Sequence, residues 1–258
     1  MQEPEATEIT FFDCSVIYGV HPQKENFRPA VSKEALKQAL AEAGVQKALV
    51  RRREQIFGGP ATGNRLIAED LSGEENLWGA WSVIPCHTHE IPQPADMLTE
   101  MKQNRIAAWW FIPDMHYFTF HPRVLGEWLD VAVSARIPIL CIMEHGIDWA
   151  DIINTLEKYP ELTVILTLKS VWPPDRYIRP LLRDFPHTYI ELSRYWTDGG
   201  LEELVEFCGP ERILFGSGFD SAYFGGIMLM IKHAQIPEKA KRLIASGNLE
   251  RILSNIKL

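Results

Sequence analysis

Ile106-Ala-Ala-Trp-Trp-Phe-Ile112 is an unbroken apolar run that stops at Pro113. A short run of β-branched and aromatic residues without polar alternation is typical of a strand covered on both faces, as in a parallel sheet. Proline cannot donate to a strand ladder, so the strand should end there. This stretch therefore predicts one central strand of a parallel sheet.

Seven similar runs occur along the chain, three before this position and four after it. We predict strands at residues 9–14, 46–51, 78–84, 138–143, 162–168, 188–192 and 212–216. Amphipathic segments separate them, such as Leu36 to Ala43 with Ser32 as a possible N-cap and Gly44 as a stop, and a final helix from Pro237 to Leu253. Eight strands alternating with helices predict an α/β fold, a TIM-type (β/α)8 barrel.

A doubly wound open sheet is the alternative fold. It usually has fewer strands, and the Gly-rich phosphate-binding pattern that often follows its first strand is absent after residues 9–14. The barrel is therefore the favoured prediction, as a single domain over residues 1–258.

Composition excludes several classes of function. The net charge of −8 and the pI of about 5.5 argue against nucleic-acid binding, and no apolar run is long enough to span a membrane. The acidic residues 1–8 do not resemble a signal peptide, and the four cysteines form no CxxC pair. We expect a cytoplasmic protein with reduced thiols that acts on a small molecule, with a homo-oligomer left open.

Two stretches carry a family resemblance. Phe12-Asp-Cys-Ser-Val-Ile-Tyr-Gly19 resembles the DxHxHxG motif at the end of strand one in the amidohydrolase-related family, whose members include aminocarboxymuconate-semialdehyde decarboxylase. Glu211-Arg-Ile-Leu-Phe-Gly-Ser-Gly-Phe-Asp220 is similar to that family's strand-eight motif, and residues 241–253 are similar to its closing helix. The resemblance implies a metal-dependent hydrolase type of barrel, with hydrolysis or decarboxylation as its chemistry.

The resemblance also implies where a divalent metal would bind, and the ligand residues are missing there. Ser15 and Ile17 stand in place of the two histidines of the first motif, and Gly218 stands in place of the strand-eight aspartate. Asp13 and Asp220 keep carboxylates nearby. We therefore expect no metal at the family position, with His87 and His89 as a weak alternative site for a divalent ion.

Histidines and carboxylates follow several predicted strands. Asp114 and His116 follow strand four, and Glu144 and His145 follow strand five. Because an imidazole beside a carboxylate can transfer protons near neutral pH, we predict catalytic roles for Asp13, His116, His145 and Asp220 if the protein is an enzyme. Helix capping and loop hydrogen bonds are the alternative roles for these residues.

Cations and aromatic rings also cluster after the strands. Residues predicted to bind a ligand here are Arg51, Asp114, Glu144, Lys169, Trp172, Arg194 and Trp196. Guanidinium and ammonium groups suit a carboxylate or phosphate, and tryptophan faces suit a flat ring. Alternation along strand two directs Arg51 and Arg53 to one side and Arg52 to the other. The competing interpretation is that the cations form ion pairs and that the tryptophans pack between loops.

Three functions remain open from the sequence. The first is a binder of a flat anionic small molecule in the barrel mouth, without turnover. The second is a metal-free or rewired hydrolase or decarboxylase, and the third is an ordinary metal-dependent hydrolase. The sequence does not identify the ligand.

Overall fold

The apolar runs of the sequence form eight parallel strands that pair in chain order, each with the next. They are seen in a computed structural model that describes residues 8–22, 30–172 and 174–258. The strands are β1 (Phe12–Tyr18), β2 (Lys47–Arg52), β3 (Leu77–Ser82), β4 (Ile106–Trp110), β5 (Ile139–Ile142), β6 (Val164–Thr167), β7 (Thr188–Glu191) and β8 (Ile213–Leu214).

The sheet curls until its two edges meet. The amide of Cys14 donates to the carbonyl of Phe215 (3.0 Å), and the amide of Ile17 donates to the carbonyl of Phe219 (2.7 Å). These bonds join β1 to the segment after β8 and leave few backbone groups unpaired at the edges. The prediction of a TIM-type barrel is confirmed.

Helices fill the connections and surround the strands. Within the described residues they are α1 (Lys33–Ala43), α2 (Glu54–Phe57), α3 (Pro60–Leu71), α4 (Pro94–Gln103), α5 (Pro113–His116), α6 (Pro122–Ala135), α7 (Trp149–Lys158), α8 (Asp175–Asp184), α9 (Gly200–Cys208), α10 (Phe224–His233), α11 (Glu238–Arg242) and α12 (Asn248–Ser254). The predicted Ser32 cap is present, because its hydroxyl accepts from the Ala35 amide (3.3 Å), and Gly44 ends α1 in the left-handed conformation.

Two predicted boundaries were wrong. The first strand begins three residues late and runs on to Tyr18, because its later part pairs with β2 after a bulge between Asp13 and Val16. The Asp13 motif therefore lies within the strand and not at its end. The predicted final helix is broken into α11, a π-helical segment at Leu243–Gly247 and α12.

Two apolar layers hold the barrel together. Inward-facing side chains such as Leu49, Trp110 and Leu214 fill the interior, and their strand neighbours pack outward against the helices. Trp81 and Trp109 belong to the outer layer.

Within the described residues, none of the helices combines the length and the apolar character that a membrane crossing needs. The predicted absence of a signal peptide concerns residues 1–7, which lie outside the described residues.

Candidate functional site

The carboxyl ends of the strands form a mouth whose inner layer is charged, although the barrel below it is apolar. Arg51 on β2, Asp13 on β1 and Glu191 on β7 are all buried there. Arg51 follows the inward-facing Leu49 by two residues, and Glu191 follows the inward-facing Tyr189 by two. Strand alternation therefore sends both side chains to the interior, as the sequence predicts for Arg51.

Arg51 is buried without a hydrogen-bonded counter-ion. Its residue is 5% exposed, and its guanidinium lies over the ring of Trp110 at 5.1 Å from the centroid. Its buried Nε atom has no hydrogen-bond partner within the described residues. Burial lowers the pKa of Arg51 to about 10, while the charges of Glu191 and Asp13 act to raise it. The group stays cationic at neutral pH and retains an unused donor.

Asp13 is held by backbone amides on one side only. Its Oδ1 accepts from the amides of Ser15 (2.9 Å) and Ser217 (3.0 Å), and its buried Oδ2 has no partner. Burial raises the pKa of Asp13 to about 6, although hydrogen bonds from Ser217 and Ser15 and the charge of Arg51 lower it. The carboxyl group can therefore change its charge in the range where most proteins work.

Glu191 is a second buried carboxyl group in this layer. The amide and hydroxyl of Ser193 both donate to it, each at 2.7 Å. Burial raises the pKa of Glu191 to about 7, which the Ser193 bonds oppose and the charge of Asp13 supports. A Cβ atom built on Gly216 would lie 2.1 Å from the Glu191 carboxylate oxygen Oε2, so a larger residue at this position would displace the carboxylate.

Arg53 and Asp220 form a separate ion pair, in which Arg53 Nε and Asp220 Oδ2 have no hydrogen-bond partner among the described residues. The Arg53 guanidinium donates to the Asp220 carboxylate, and both side chains are almost completely buried. Asp220 was predicted as a catalytic carboxylate, and the structure places it against this arginine. Arg52, in contrast, points outward and binds Glu54 and Asp70, as the alternation predicts. Arg51 on β2 and Arg53 directly after it thus differ, because Arg53 has an ion-pair partner and Arg51 has none within the described residues.

The two predicted histidines lie near the charged layer. The ring of His145 is 5.7 Å from that of Trp110, and burial together with the charges of Arg51, His116 and Arg53 lowers the pKa of His145 to about 4. Burial also lowers the pKa of His116. Both rings are therefore neutral at pH 7, when they are weak bases but retain an N–H group that can donate to an anion.

The remaining predicted residues occupy the outer rim of the mouth. Glu144 accepts from Arg194 at 3.2 Å and not from His145, which matches the ion-pair alternative for Arg194. Asp114 is exposed on α5 and abuts Gly146, whose left-handed turn leaves room for its carboxylate. Lys169 is exposed. The structure brings Arg51 and His145 together and leaves these groups at the periphery.

The two predicted tryptophans are also on the rim. Trp172 is 80% exposed, and Trp196 is 56% exposed with its Nε1 donating to the carbonyl of Ser193 (2.8 Å). Sequence reasoning overlooked two inner residues, Trp110 as a ring beneath the cation and Glu191 as a site carboxylate. A signal for Glu191 existed, because it is the one charged residue within its predicted strand at residues 188–192.

The residues at the family metal position do not suit a divalent ion. Ile17 is buried in the interior apolar cluster, and Gly218 packs against Ser193. The buried Arg51 guanidinium places a positive charge near Asp13, where it would repel a second cation. Within the described residues, no three histidine, cysteine, aspartate or glutamate side chains are grouped as metal ligands would be, and His87 and His89 are both exposed.

Comparison with known proteins shows similarity of fold. No protein-family model matches the sequence, and no curated protein matches it either. The structure is similar to 5-carboxyvanillate decarboxylase from Sphingomonas paucimobilis (14% identity, TM-score 0.65) and to 2,6-dihydroxybenzoate decarboxylase from Rhizobium (9%, 0.72), each match covering 96% of this chain and 99% of the other. It is also similar to an amidohydrolase II (15%, 0.67), covering 95% and 100% of the two chains. These solved structures share the barrel of the present chain, as the sequence resemblance implies.

Proposed function

We propose that the mouth of the barrel binds a small, flat, anionic molecule through the Arg51 guanidinium, and that the chain has lost the metal site of the family it resembles. The observation that carries this proposal is the buried arginine without a hydrogen-bonded counter-ion. Leaving buried donors unsatisfied costs about 1–3 kcal/mol per group, and more for charged groups. An anion that accepts from Arg51 removes that cost on binding.

The surroundings of Arg51 favour a planar anion. The Trp110 ring covers one side of the guanidinium, and His145 lies against the same ring. The neutral His145 imidazole can donate an N–H to the ligand. Because it carries no charge, it does not attract a carboxylate of the protein into the same place. A carboxylate matches the fork of a guanidinium, and a ring attached to it can lie among the aromatic side chains. Lys169 and Trp172, both exposed after β6, would add weaker contacts from the rim in this proposal.

The structural neighbours support the class of ligand. Two of them act on aromatic carboxylates by name, 5-carboxyvanillate and 2,6-dihydroxybenzoate. In the present chain the proposed anchor is an arginine on β2. We therefore take an aryl carboxylate as the first ligand to test.

A second candidate function is decarboxylation without a metal. Glu191 has its pKa raised to about 7, so a fraction of it is protonated at neutral pH beside the proposed carboxylate site. In such a reaction the bond from the ring to the carboxylate breaks, carbon dioxide leaves, and the ring carbon takes a proton from an acid of this kind. The same arrangement supports binding without turnover, which is the function we favour.

Calorimetry with benzoate, benzyl alcohol and benzylamine tests the proposal. We expect measurable binding of benzoate only, and no product when benzoate or 2,6-dihydroxybenzoate is incubated with the protein and analysed by chromatography. Equal binding of all three compounds, or of none, contradicts the proposed anion site. Release of carbon dioxide with formation of the decarboxylated ring instead establishes the second candidate function.

A further inference from the structure

The carboxyl group of Glu191 extends from β7 to the segment that follows β8, beside β1. A Cβ atom built on Gly216 would lie 2.1 Å from Glu191 Oε2 and 3.0 Å from the Cβ atom of Ser15 on β1. The Glu191 carboxyl group and the Ser15 side chain therefore lie against the same face of Gly216. Glu191 is 0% exposed, so bulk water does not screen its charge there.

Asp13 lies beside the same segment. Its Oδ1 atom accepts from the amide of Ser217, the residue after Gly216, and from the amide of Ser15. The charge of Asp13 raises the pKa of Glu191, as expected for two carboxyl groups held close together in a buried layer. Two acidic groups of the mouth thus meet where the segment after β8 joins β1.

The charge of Arg51 opposes that of the two carboxyl groups from β2. It interacts electrostatically with both Glu191 and Asp13. The other titratable or polar groups around this layer are neutral at pH 7 or paired: Cys14, His116, His145, Thr167 and the Arg53–Asp220 pair. With both carboxyl groups ionised, the layer of Asp13, Arg51 and Glu191 carries one excess negative charge before any ligand is present.

An anion bound to Arg51 increases this excess. A ligand carboxylate would bring the layer to three negative charges and one positive charge in a site removed from bulk water, where like charges repel strongly. Protonation of one carboxyl group restores the net charge that the layer had before binding. Because each event favours the other, ligand entry and proton uptake are coupled, and the coupling is reciprocal.

Hydrogen bonding indicates which carboxyl group takes the proton. Asp13 Oδ1 accepts from two backbone amides, which can only donate and therefore favour the ionised form. One donor to Glu191 is instead the Ser193 hydroxyl, 2.7 Å from Oε1. A hydroxyl can turn and accept from a protonated carboxyl group. Burial also raises the pKa of Glu191 to about 7 and that of Asp13 to about 6, so Glu191 takes a proton more readily at neutral pH.

We propose that the mouth takes up a proton together with its anionic ligand, and that the Glu191 carboxyl group holds this proton. The inference rests on the anion site proposed at Arg51 and adds a regulation to it. The proton comes from the solvent as the ligand enters and returns to the solvent when the ligand leaves. Affinity for an anion therefore declines as the pH rises above neutrality.

Calorimetry of benzoate at pH 7.5 in HEPES and in Tris measures the proton directly, because the two buffers have different enthalpies of ionisation. We expect an uptake of about half a proton or more per bound benzoate, since a carboxyl group with a pKa near 7 is mostly ionised at this pH until an adjacent anion raises its pKa. Benzoate affinity should be about five- to tenfold weaker at pH 8.5 than at pH 6.5.

Three variants assign the proton. Glu191→Gln should take up almost no proton and should bind benzoate with affinities that differ less than about threefold between pH 6.5 and 8.5. Ser193→Ala removes a donor that favours the ionised form, so the pH at which affinity declines should move up by about one unit. Glu157→Gln on the exposed side of α7 should behave as the wild type. Thermal denaturation checks that each variant is folded.

The outcomes separate this inference from the anion site itself. Benzoate binding with the same enthalpy in both buffers, or an unshifted pH profile in Ser193→Ala, overturns the coupling and leaves the anion site in place. Proton uptake that persists in Glu191→Gln overturns the assignment to this residue. Absence of benzoate binding to the wild type at both pH 6.5 and pH 8.5 overturns the anion site and the coupling together.

Discussion

The two ends of the barrel are closed by opposite means. At the amino ends of the strands, α12 covers the opening and inserts Leu249 and Ile252 into the interior apolar cluster. Asn248 on the same helix donates to the carbonyls of Pro210 (2.7 Å) and Ile213 (2.9 Å). At the carboxyl ends, the interior instead finishes in Asp13, Arg51 and Glu191.

The difference separates stability from function. Apolar closure removes surface from water at no electrostatic cost, whereas burying ionisable groups costs several kcal/mol per ion unless each is paired. A barrel selected only for stability would close both ends with apolar residues. The charged layer at the mouth therefore supports the proposed ligand site, where Arg51 Nε and Asp13 Oδ2 are buried without a hydrogen-bond partner in the described part of the chain.

The largest effect that would sharpen this comparison comes from the buried Arg53–Asp220 ion pair. Asp220→Asn should lower the free energy of unfolding by about 3–5 kcal/mol, because it leaves the Arg53 guanidinium buried without its counter-ion. Leu249→Ala at the apolar end should cost about 2–5 kcal/mol through the cavity it creates. Urea denaturation at pH 7 measures both. A loss below about 1 kcal/mol for Asp220→Asn would show that the pair is not buried as described.

The second effect distinguishes the two inward arginines. Arg51→Met should reduce affinity for benzoate about tenfold or more, because it removes the charge-assisted contact, yet it should destabilise the fold less than Asp220→Asn since Arg51 has no ion pair to break. Lys169→Ala on the exposed rim is the matched cation control and should change affinity less than about threefold. Calorimetry and urea denaturation give the two readouts. Equal losses of affinity in both variants would remove Arg51 from the centre of the site.

The fold could be predicted from the sequence because its signals are local and repeated. Eight continuous apolar runs separated by amphipathic segments specify strand and helix order, and parallel pairing in sequence follows from that order. The boundary of β1 was missed because a bulge between Asp13 and Val16 shifts the register, and the effect of a bulge depends on the partner strand.

The site was predicted only in part, because the partners of its charged groups are distant in the sequence. Strand alternation predicts that Arg51 points inward, and the position of His145 after β5 places it at the mouth. Pairing is a property of three-dimensional neighbours: the Arg53–Asp220 pair joins positions 167 residues apart, and the Arg194–Glu144 pair joins positions 50 apart. Sequence spacing could not show which arginine keeps a counter-ion and which is left for a ligand.

A third, smaller effect concerns pH. Burial raises the pKa of Asp13 to about 6 and that of Glu191 to about 7, so the folded state holds protons that the unfolded chain has already released. Stability from these groups is fully present below about pH 4 and is lost as the pH rises through about 6 and 7. In Glu191→Gln, the decline in the free energy of unfolding between pH 5 and 8 should be shallower than in the wild type by up to about 3 kcal/mol. Urea denaturation at several pH values measures it, and parallel pH curves for the two proteins would contradict the raised pKa of Glu191.

The smallest expected effect is that of metal removal. It tests whether the Arg51 guanidinium occupies the place of a metal ion in the mouth. Dialysis against a chelator should leave both the melting temperature and benzoate affinity unchanged, because Ile17 and Gly218 provide no ligand and Arg51 already supplies the positive charge. Elemental analysis of protein purified without chelator, followed by the same analysis of a His87→Ala/His89→Ala variant, separates the two candidate positions. Stoichiometric metal that survives in the double variant, with benzoate affinity lost on chelation, would place an ion near Asp13 and make the protein an ordinary metal-dependent barrel.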